Sequence, residues 1–336
     1  DHLFPGTSTI QTRLRYMLFV PWCFEAAASA GGLRTAMDAS RQREIALIEP
    51  LKAGGETQGV IGREAGARLR RLPSEIYWSG LRTWGLRRIG GGREDYFRAA
   101  IARTPEDPPL WSPNLPAAPD DLLDRASFAL SREEADFLTD RIATSCPERL
   151  LAVLAREGDT AECEQIWEHP SRSAFPDQIQ TLVGHAETFS AIMLGASLLY
   201  NLMLAERVQR LESEEWTERY RRRLSDWQAG LDHGVLRAWD LSAFWSAARH
   251  EAHSQTPALR RFVQDWVTEA LAPGDIADRE SARGLVEARE RALKGAQSRF
   301  RNKAARDRWG GASGAFRLNF RWPVARSHLK DLTHAQ

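Results

Sequence analysis

FSAIMLGASLLYNLML, residues 189–204, is the most apolar run in the chain. It is about sixteen residues long, holds Asn201, and stands between His185 and Glu187 on one side and Glu206 and Arg207 on the other. That is short of the ~20 residues a membrane-crossing helix needs, so the run is expected as the centre of a buried helix over Asp177–Leu211, with no membrane partner. A helix apolar all round needs a jacket of one-faced helices, and the flanking sequence supplies them. Amphipathic spacing marks Glu214–Gln228, Val235–Ala248, Pro257–Leu271 and Ser281–Arg308. Upstream, Ser131-Arg-Glu-Glu134 is a capping box followed by Ala135, Leu138 and Ile142. Pro147 opens a helix carrying Leu150, Leu151 and Leu154 and closing near Gly158. Ser8 or Thr9 caps a helix from Thr12 to Val20, which Pro21 is expected to kink or end before Trp22–Ala28. Strand-like alternation is scarce, with Arg317–Trp322 (RLNFRW) the best case. The fold class predicted is all-α, bundle-like, with a Pro-rich strap and one small C-terminal hairpin.

The strap is Thr104–Asp121, which carries six prolines in eighteen residues and excludes helix. Trp111 and Leu115 within it are expected to dock on a surface. It divides the 336 residues into a basic N-terminal part, 1–103, a linker, 104–121, and a C-terminal domain, 122–336. A hydrophobic share of 43% with 27% charged residues places the chain among folded proteins, away from disorder. Cys23, Cys146 and Cys163 are odd in number and form no CxxC pair, which excludes a disulfide framework or a zinc ribbon and makes a reducing, cytoplasmic setting the expectation. No charged stretch with a small-residue cleavage site opens the chain, and its first residue is Asp1, so a natural start upstream is expected.

Of 46 basic residues all but Lys52, Lys294, Lys303 and Lys330 are arginine, although the net charge is only +1. GC-rich coding gives that bias, and so does selection for guanidinium forks on phosphates. The distribution is more informative. Arg63, Arg68, Arg70, Arg71, Arg82, Arg87, Arg88 and Arg93 face only Glu64 and Glu75 in their stretch, whereas Asp120–Glu168 holds thirteen acids against five arginines. A second basic stretch, Arg283–Arg326, includes Arg291, Lys294, Arg299, Arg301, Arg306, Arg317 and Arg321. The two stretches either track phosphates or pair with the acidic middle. In Gly59–Arg88, a basic helix broken at Leu72-Pro73 and a second capped by Ser74 read as a helix-turn-helix or an ordinary helical hairpin. In Arg283–Arg308, Val286, Leu293, Phe300 and Ala304 form a docking stripe, leaving a basic side free. Most of the twelve tryptophans read as core, such as Trp216 with Tyr220 and Phe262 with Trp266. Trp78, Trp84, Trp309 and Trp322, beside arginines, are candidates for stacking on bases.

No complete catalytic motif is present, and neither cofactor nor metal is predicted. There is no GxxxxGK[ST] loop and no GxGxxG after a strand. Gly310, Gly311 and Gly314 follow a basic helix, whose end offers carbonyls, so they read as a cap and turn whose arginine neighbours remain phosphate candidates. His250-Glu251-Ala-His253 lacks HExxH spacing. His328-Leu-Lys330 is a single HxK pair without the second copy and the Asp a phospholipase-D-type nuclease needs, and no acid lies two residues before any lysine.

The segments Leu3-Phe4-Pro5-Gly6-Thr7-Ser8-Thr9 with Arg13, Arg15, Tyr16 and Pro21-Trp22, then Gly62-Arg63, Leu72-Pro73-Ser74, Ile76-Tyr77-Trp78 and Gly80-Leu81, then Asn114-Leu115-Pro116 with Pro119, and finally Gly311, Gly314 and Leu318-Asn-Phe-Arg-Trp-Pro323, resemble the bacterial domain-of-unknown-function family 6361. The resemblance spans nearly the whole chain. It implies a further N-terminal segment ahead of the LFPGTST motif, and genomic company with helicase and phospholipase-D-like nuclease genes of antiviral defence clusters. It implies no catalytic residue.

The expected function is a non-catalytic, DNA-contacting subunit of a bacterial anti-phage defence complex, with DNA bound by arginines and helicase or nuclease partners by the acidic middle. Two alternatives stand beside it. One is a divergent metal-dependent nuclease using Asp120, Asp121, His250, Glu251 and His253; the other is a protein-binding scaffold whose basic stretches are neutralised internally.

Overall fold

The structure, a computed structural model, describes residues 2–249 and 255–336. In chain order its helices are α1 (Tyr16–Ala28), α2 (Leu33–Ala46), α3 (Ile48–Ala53), α4 (Pro73–Thr83), α5 (Arg93–Ala102), α6 (Arg132–Ser145), α7 (Leu150–Glu157) and α8 (Asp177–Ala205). There follow α9 (Ser213–Ala229), α10 (His233–Ala238), α11 (Leu241–Ala247), α12 (Pro257–Leu271), α13 (Glu280–Lys294), α14 (Lys303–Asp307) and α15 (Trp322–Thr333). No strand forms among the described residues; one isolated antiparallel bridge joins Arg87 to Trp111. The protein is all-α. The C-terminal hairpin expected at RLNFRW is absent, because Phe320 and Arg321 take positive φ, 49° and 71°, and Trp322 opens α15.

Two compact units divide the chain, Asp1–Ile179 with Phe320–Gln336, and Gln180–Asn319. The division expected at 104–121 does not coincide with the boundary between these units. The strap's prolines exclude helix, but its apolar groups fasten it to the first unit. Trp111 is buried and donates from Nε1 to the Tyr96 hydroxyl at 2.9 Å, while Trp22 Nε1 donates to the Pro116 carbonyl at 2.7 Å.

In the first unit α1 packs on α2, α4 and α5, and α15 on α6 and α7. α1 starts at Tyr16, not Thr12, because the Thr12 amide donates to the Tyr77 hydroxyl (2.8 Å) and its own hydroxyl to the Gly59 carbonyl (2.7 Å). Pro21 lies inside α1 without ending it; burial of nearly every side chain of α1 outweighs the one missing backbone bond. The LFPGTST stretch is docked on α4: Trp84 Nε1 donates to the Pro5 carbonyl at 2.8 Å, and Gly80 makes room for the Gly6 carbonyl. Arg13 clasps Asp331 at 2.7 Å and Arg15 clasps Glu134 at 2.7 Å, so N-terminal arginines tie α15 and α6 to the rest. Ser131 and Glu134 form the expected capping box.

Two buried titratable groups give this unit opposed responses to pH. Burial pushes the Glu44 carboxyl up to about 7, against hydrogen bonds from the Ser74 amide (2.7 Å) and hydroxyl (2.9 Å). Its contribution is whole below about pH 4.5 and is lost as pH rises through 7. Burial, aided by Arg13, lowers His328 to about 3, and neither ring nitrogen has a hydrogen-bond partner among the described residues. That contribution is whole above pH 6.5 and is lost as pH falls toward 3, a span worth about 4–5 kcal/mol. His328→Leu is therefore expected to unfold at a higher urea concentration relative to wild type at pH 4.5 than at pH 7.5. An equal difference at the two pH values would contradict the assignment.

The second unit is built round the C-terminal part of α8. This helix runs 29 residues, past the sixteen-residue apolar run, and by length and composition alone it is long enough to cross a membrane; 61% of its most apolar window is buried inside the fold. Trp227 and Trp266 lie 6.1 Å apart, nearly parallel, and donate to the consecutive α8 carbonyls of Ala191 (2.7 Å) and Ile192 (2.8 Å). The helix expected over Val235–Ala248 is split into α10 and α11, since Asp240 accepts from the amides of Ser242 and Ala243 and starts a new helix. The one expected over Ser281–Arg308 stops at Lys294, where Gly295 takes φ 52°. Leu293 and Ala304 are consequently exposed and do not extend the docking stripe.

Candidate nucleic-acid interface

The first basic stretch is not a helix-turn-helix. Its first half is turns and a single 3-10 turn at Gly66–Arg68; only α4 follows, with Leu72 at its N-cap and Pro73 in its first turn. Ser74, expected as the cap, lies inside α4 bound to Glu44. The arginines of the stretch sort into two groups. Arg63 donates to the carbonyls of Glu56 (2.7 Å) and Thr57 (2.8 Å), and Arg93 pairs with Glu75 at 2.6 Å. Arg87 is buried, donates to the Gly91 carbonyl at 3.1 Å and has its pKa lowered by burial and then by Arg82. These three stabilise the loops around α4.

Arg68, Arg70, Arg71 and Arg88 are exposed, and among the described residues their guanidiniums have neither a carboxylate nor a hydrogen-bond partner. Arg82 is exposed beside Arg88, donating to its carbonyl at 2.6 Å. Arg68, Arg70 and Arg71 precede the N-terminus of α4, and Arg82 and Arg88 lie at its C-terminal end. The eleven residues of α4 span roughly 16 Å at about 1.5 Å per residue, enough for two or three phosphate spacings along a strand. Of the stretch's two acids Glu75 pairs with Arg93 at 2.6 Å and the exposed Glu64 lies 4.0 Å from Arg63, so neither is paired with the exposed five.

None of the four tryptophans is a free stacking platform. Trp84, Trp309 and Trp322 are fully buried, with their Nε1 donors on the Pro5 carbonyl, the Asn201 side chain and the Cys163 carbonyl. Trp78 is half-buried, but Arg87 sits 4.4 Å over its ring and Phe24 packs against it at 5.3 Å.

In the second unit Lys294 and Arg299 line one cavity and the other candidates are dispersed. Arg291 pairs with Glu287, Arg306 donates to the Arg299 carbonyl at 3.1 Å, and Lys294, Arg301 and Arg317 are exposed. Arg299 donates to the Tyr200 and Ser313 hydroxyls, each at 3.1 Å. Arg321 belongs to the first unit and donates to the Thr7 carbonyl. The glycine loop after α14 is clamped through alternate carbonyls. Trp309 accepts from Arg210 (3.0 Å), Gly311 from Arg219 (3.0 Å) and Tyr220 (2.6 Å), Ser313 from Asn201 (2.8 Å), and Ala315 from Arg223 (2.6 Å). Its carbonyls are taken up by Arg, Tyr and Asn donors, so it is a structural turn and not a phosphate cradle. Arg219 and Arg223 had no sequence signal beyond their place on α9, and Arg210, in the turn before that helix, had none.

The acidic middle lies in the first unit. Glu133 and Asp140 are exposed on α6, with Asp136 paired to Arg132; Glu148, Glu157 and Glu164 are exposed beyond it. His250, Glu251 and His253 lie outside the described residues, so their proposed grouping with Asp120 and Asp121 is not part of the described geometry. Among the described residues no three His, Cys, Asp or Glu side chains gather closely enough to hold a metal ion. His328 is completely buried and Lys330 is paired with Glu162, so the HxK pair is packing and not a nucleophile with its cation.

Residues 1–336 match the family described as Family of unknown function (DUF6361). No curated protein and no solved structure matches the chain.

Proposed function

We propose, since the chain belongs to the DUF6361 family along its whole length, that it is a non-catalytic, DNA-contacting subunit of a cytoplasmic anti-phage defence complex. The observation that carries DNA contact is the set of exposed arginines 68, 70, 71, 82 and 88, which no carboxylate among the described residues neutralises. A scaffold whose basic stretches were balanced internally would have those guanidiniums paired. With the four tryptophans engaged inside the fold, the contact is with backbone phosphates, and so independent of base sequence. The exposed acids on and after α6 form the surface proposed for a helicase or phospholipase-D-like nuclease subunit, a partner class resting on the family's genomic company.

Fluorescence anisotropy with a labelled 30-base-pair duplex tests this at low salt, with a magnesium- and manganese-containing cleavage lane alongside. Replacing Arg68, Arg70, Arg71 and Arg88 with Ala is expected to weaken binding by about 100-fold or more, equally for unrelated sequences. Unchanged binding by this variant would remove the proposed face; metal-dependent cleavage by the wild type would replace the non-catalytic reading with the nuclease one.

A further inference from the structure

We propose that the cavity between α8, α12 and α13 binds an organic phosphate of nucleotide size, at a site separate from the arginine face around α4. The cavity measures about 620 Å³, within the range of small-molecule sites. Its character is divided. Met193, Leu259, Phe262 and Val286 give an apolar wall, while Arg289, Lys294, Arg299 and Arg308 bring four cations to the same space.

The single lining carboxylate, Glu290, does not offset that charge for a ligand. Its oxygens accept from the Ser298 hydroxyl and from the Arg299 amide at 2.9 Å, turning it into its own loop. Among the described residues no carboxylate pairs with Arg289, Lys294 or Arg308. Arg299 is held in place through Nη1 alone, by the Tyr200 and Ser313 hydroxyls, so its Nη2 and Nε edge carries no protein acceptor among the described residues. A positioned guanidinium with its fork edge available suits the paired oxygens of a phosphate.

Four cations against one engaged carboxylate favour a ligand of more than one negative charge, which a lone carboxylate is not. The apolar wall distinguishes an organic phosphate from inorganic phosphate, since only the former gains from covering the half-buried Met193 and Leu259 and the exposed Leu293. A nucleotide meets both conditions, either free or as the 5′-phosphorylated end of a strand.

Isothermal titration of the full chain with ATP, dAMP, inorganic phosphate, and a dinucleotide with and without its 5′-phosphate tests the assignment. The variant to compare is Lys294→Ala with Arg308→Ala, two exposed side chains whose removal leaves the core intact. At least one phosphate-bearing nucleotide is expected to bind, with inorganic phosphate about tenfold weaker or worse and the double variant about tenfold weaker or worse. Tighter binding of the phosphorylated dinucleotide than of ATP and dAMP identifies a strand end; the reverse identifies a free nucleotide. Absence of binding by every phosphate, indifference to the double variant, or inorganic phosphate binding as tightly as ATP would overturn the proposal. The Arg68/Arg70/Arg71/Arg88 variant is expected to titrate like wild type, so failure here and failure of duplex binding are separate results.

Discussion

Gly195→Ala is expected to destabilise the second unit by on the order of 3 kcal/mol, although alanine is the better helix former. Gly195 lies mid-way along α8, where the Trp227 indole rests directly on its backbone; a β-carbon there would fall inside the ring's van der Waals surface. The indole has no room to retreat, because its Nε1 is bonded to the Ala191 carbonyl at 2.7 Å and its face is stacked on Trp266. Intrinsic propensity alone would make the substitution favourable by about 1 kcal/mol. The sign of the measured change in urea unfolding therefore decides between packing and propensity. Gly284→Ala is the matched control, since a β-carbon at that exposed position in α13 meets nothing within 4 Å, and it is expected to stabilise by about 1 kcal/mol.

Asn201→Leu is expected to cost a similar amount, on the order of 3 kcal/mol, through unpaired polar groups instead of crowding. Asn201 is fully buried and uses all four of its bonds. Its amide donates to the carbonyls of Ser197 (2.7 Å) and Ser313 (2.8 Å), and its oxygen accepts from Trp309 Nε1 (3.1 Å) and the Ser313 amide (2.8 Å). Leucine fills similar volume and leaves the Trp309 donor and both Ser313 backbone groups unsatisfied. Because Ser313 also holds Arg299 at the cavity, the variant is expected to lose nucleotide binding along with stability. Asp at this position keeps the acceptors, loses the donors and buries a charge, so it is expected to fare no better; a stable Asn201→Asp protein would contradict the role given to the amide.

The periodic part of the fold was legible because its cause is local. The apolar run at 189–204, the Ser131 capping box and the Pro257 start each state their helix within a few residues. What was not legible depends on distant partners. RLNFRW alternates like a strand, yet among the described residues no strand is there to pair with it, and positive φ at Phe320 and Arg321 turns it into a helix start. The prolines of 104–121 mark irregular chain correctly, but whether such chain separates domains or straps one together depends on what Trp111 and Pro116 meet.

The candidate site divides the same way. That Arg63–Arg93 is basic is compositional, while which guanidiniums remain outside depends on carbonyls such as those of Glu56 and Gly91 that claim the others. Arg289 and Arg308 reach the cavity with Lys294 and Arg299 because α13 ends at Lys294 and the chain turns back, a reversal hidden by the continuous helical spacing of 281–308.

The central claim is that unpaired arginines around α4 contact the DNA backbone, and the most direct measurement is the salt dependence of duplex affinity between 50 and 200 mM, as working concentrations. For wild type, log K against log salt is expected to fall with a slope of at least roughly −3.6, four phosphate contacts at about 0.9 each, and the Arg68/Arg70/Arg71/Arg88→Ala protein is expected to lose that increment. No binding at the lowest salt, or the same slope in both proteins, would contradict the account.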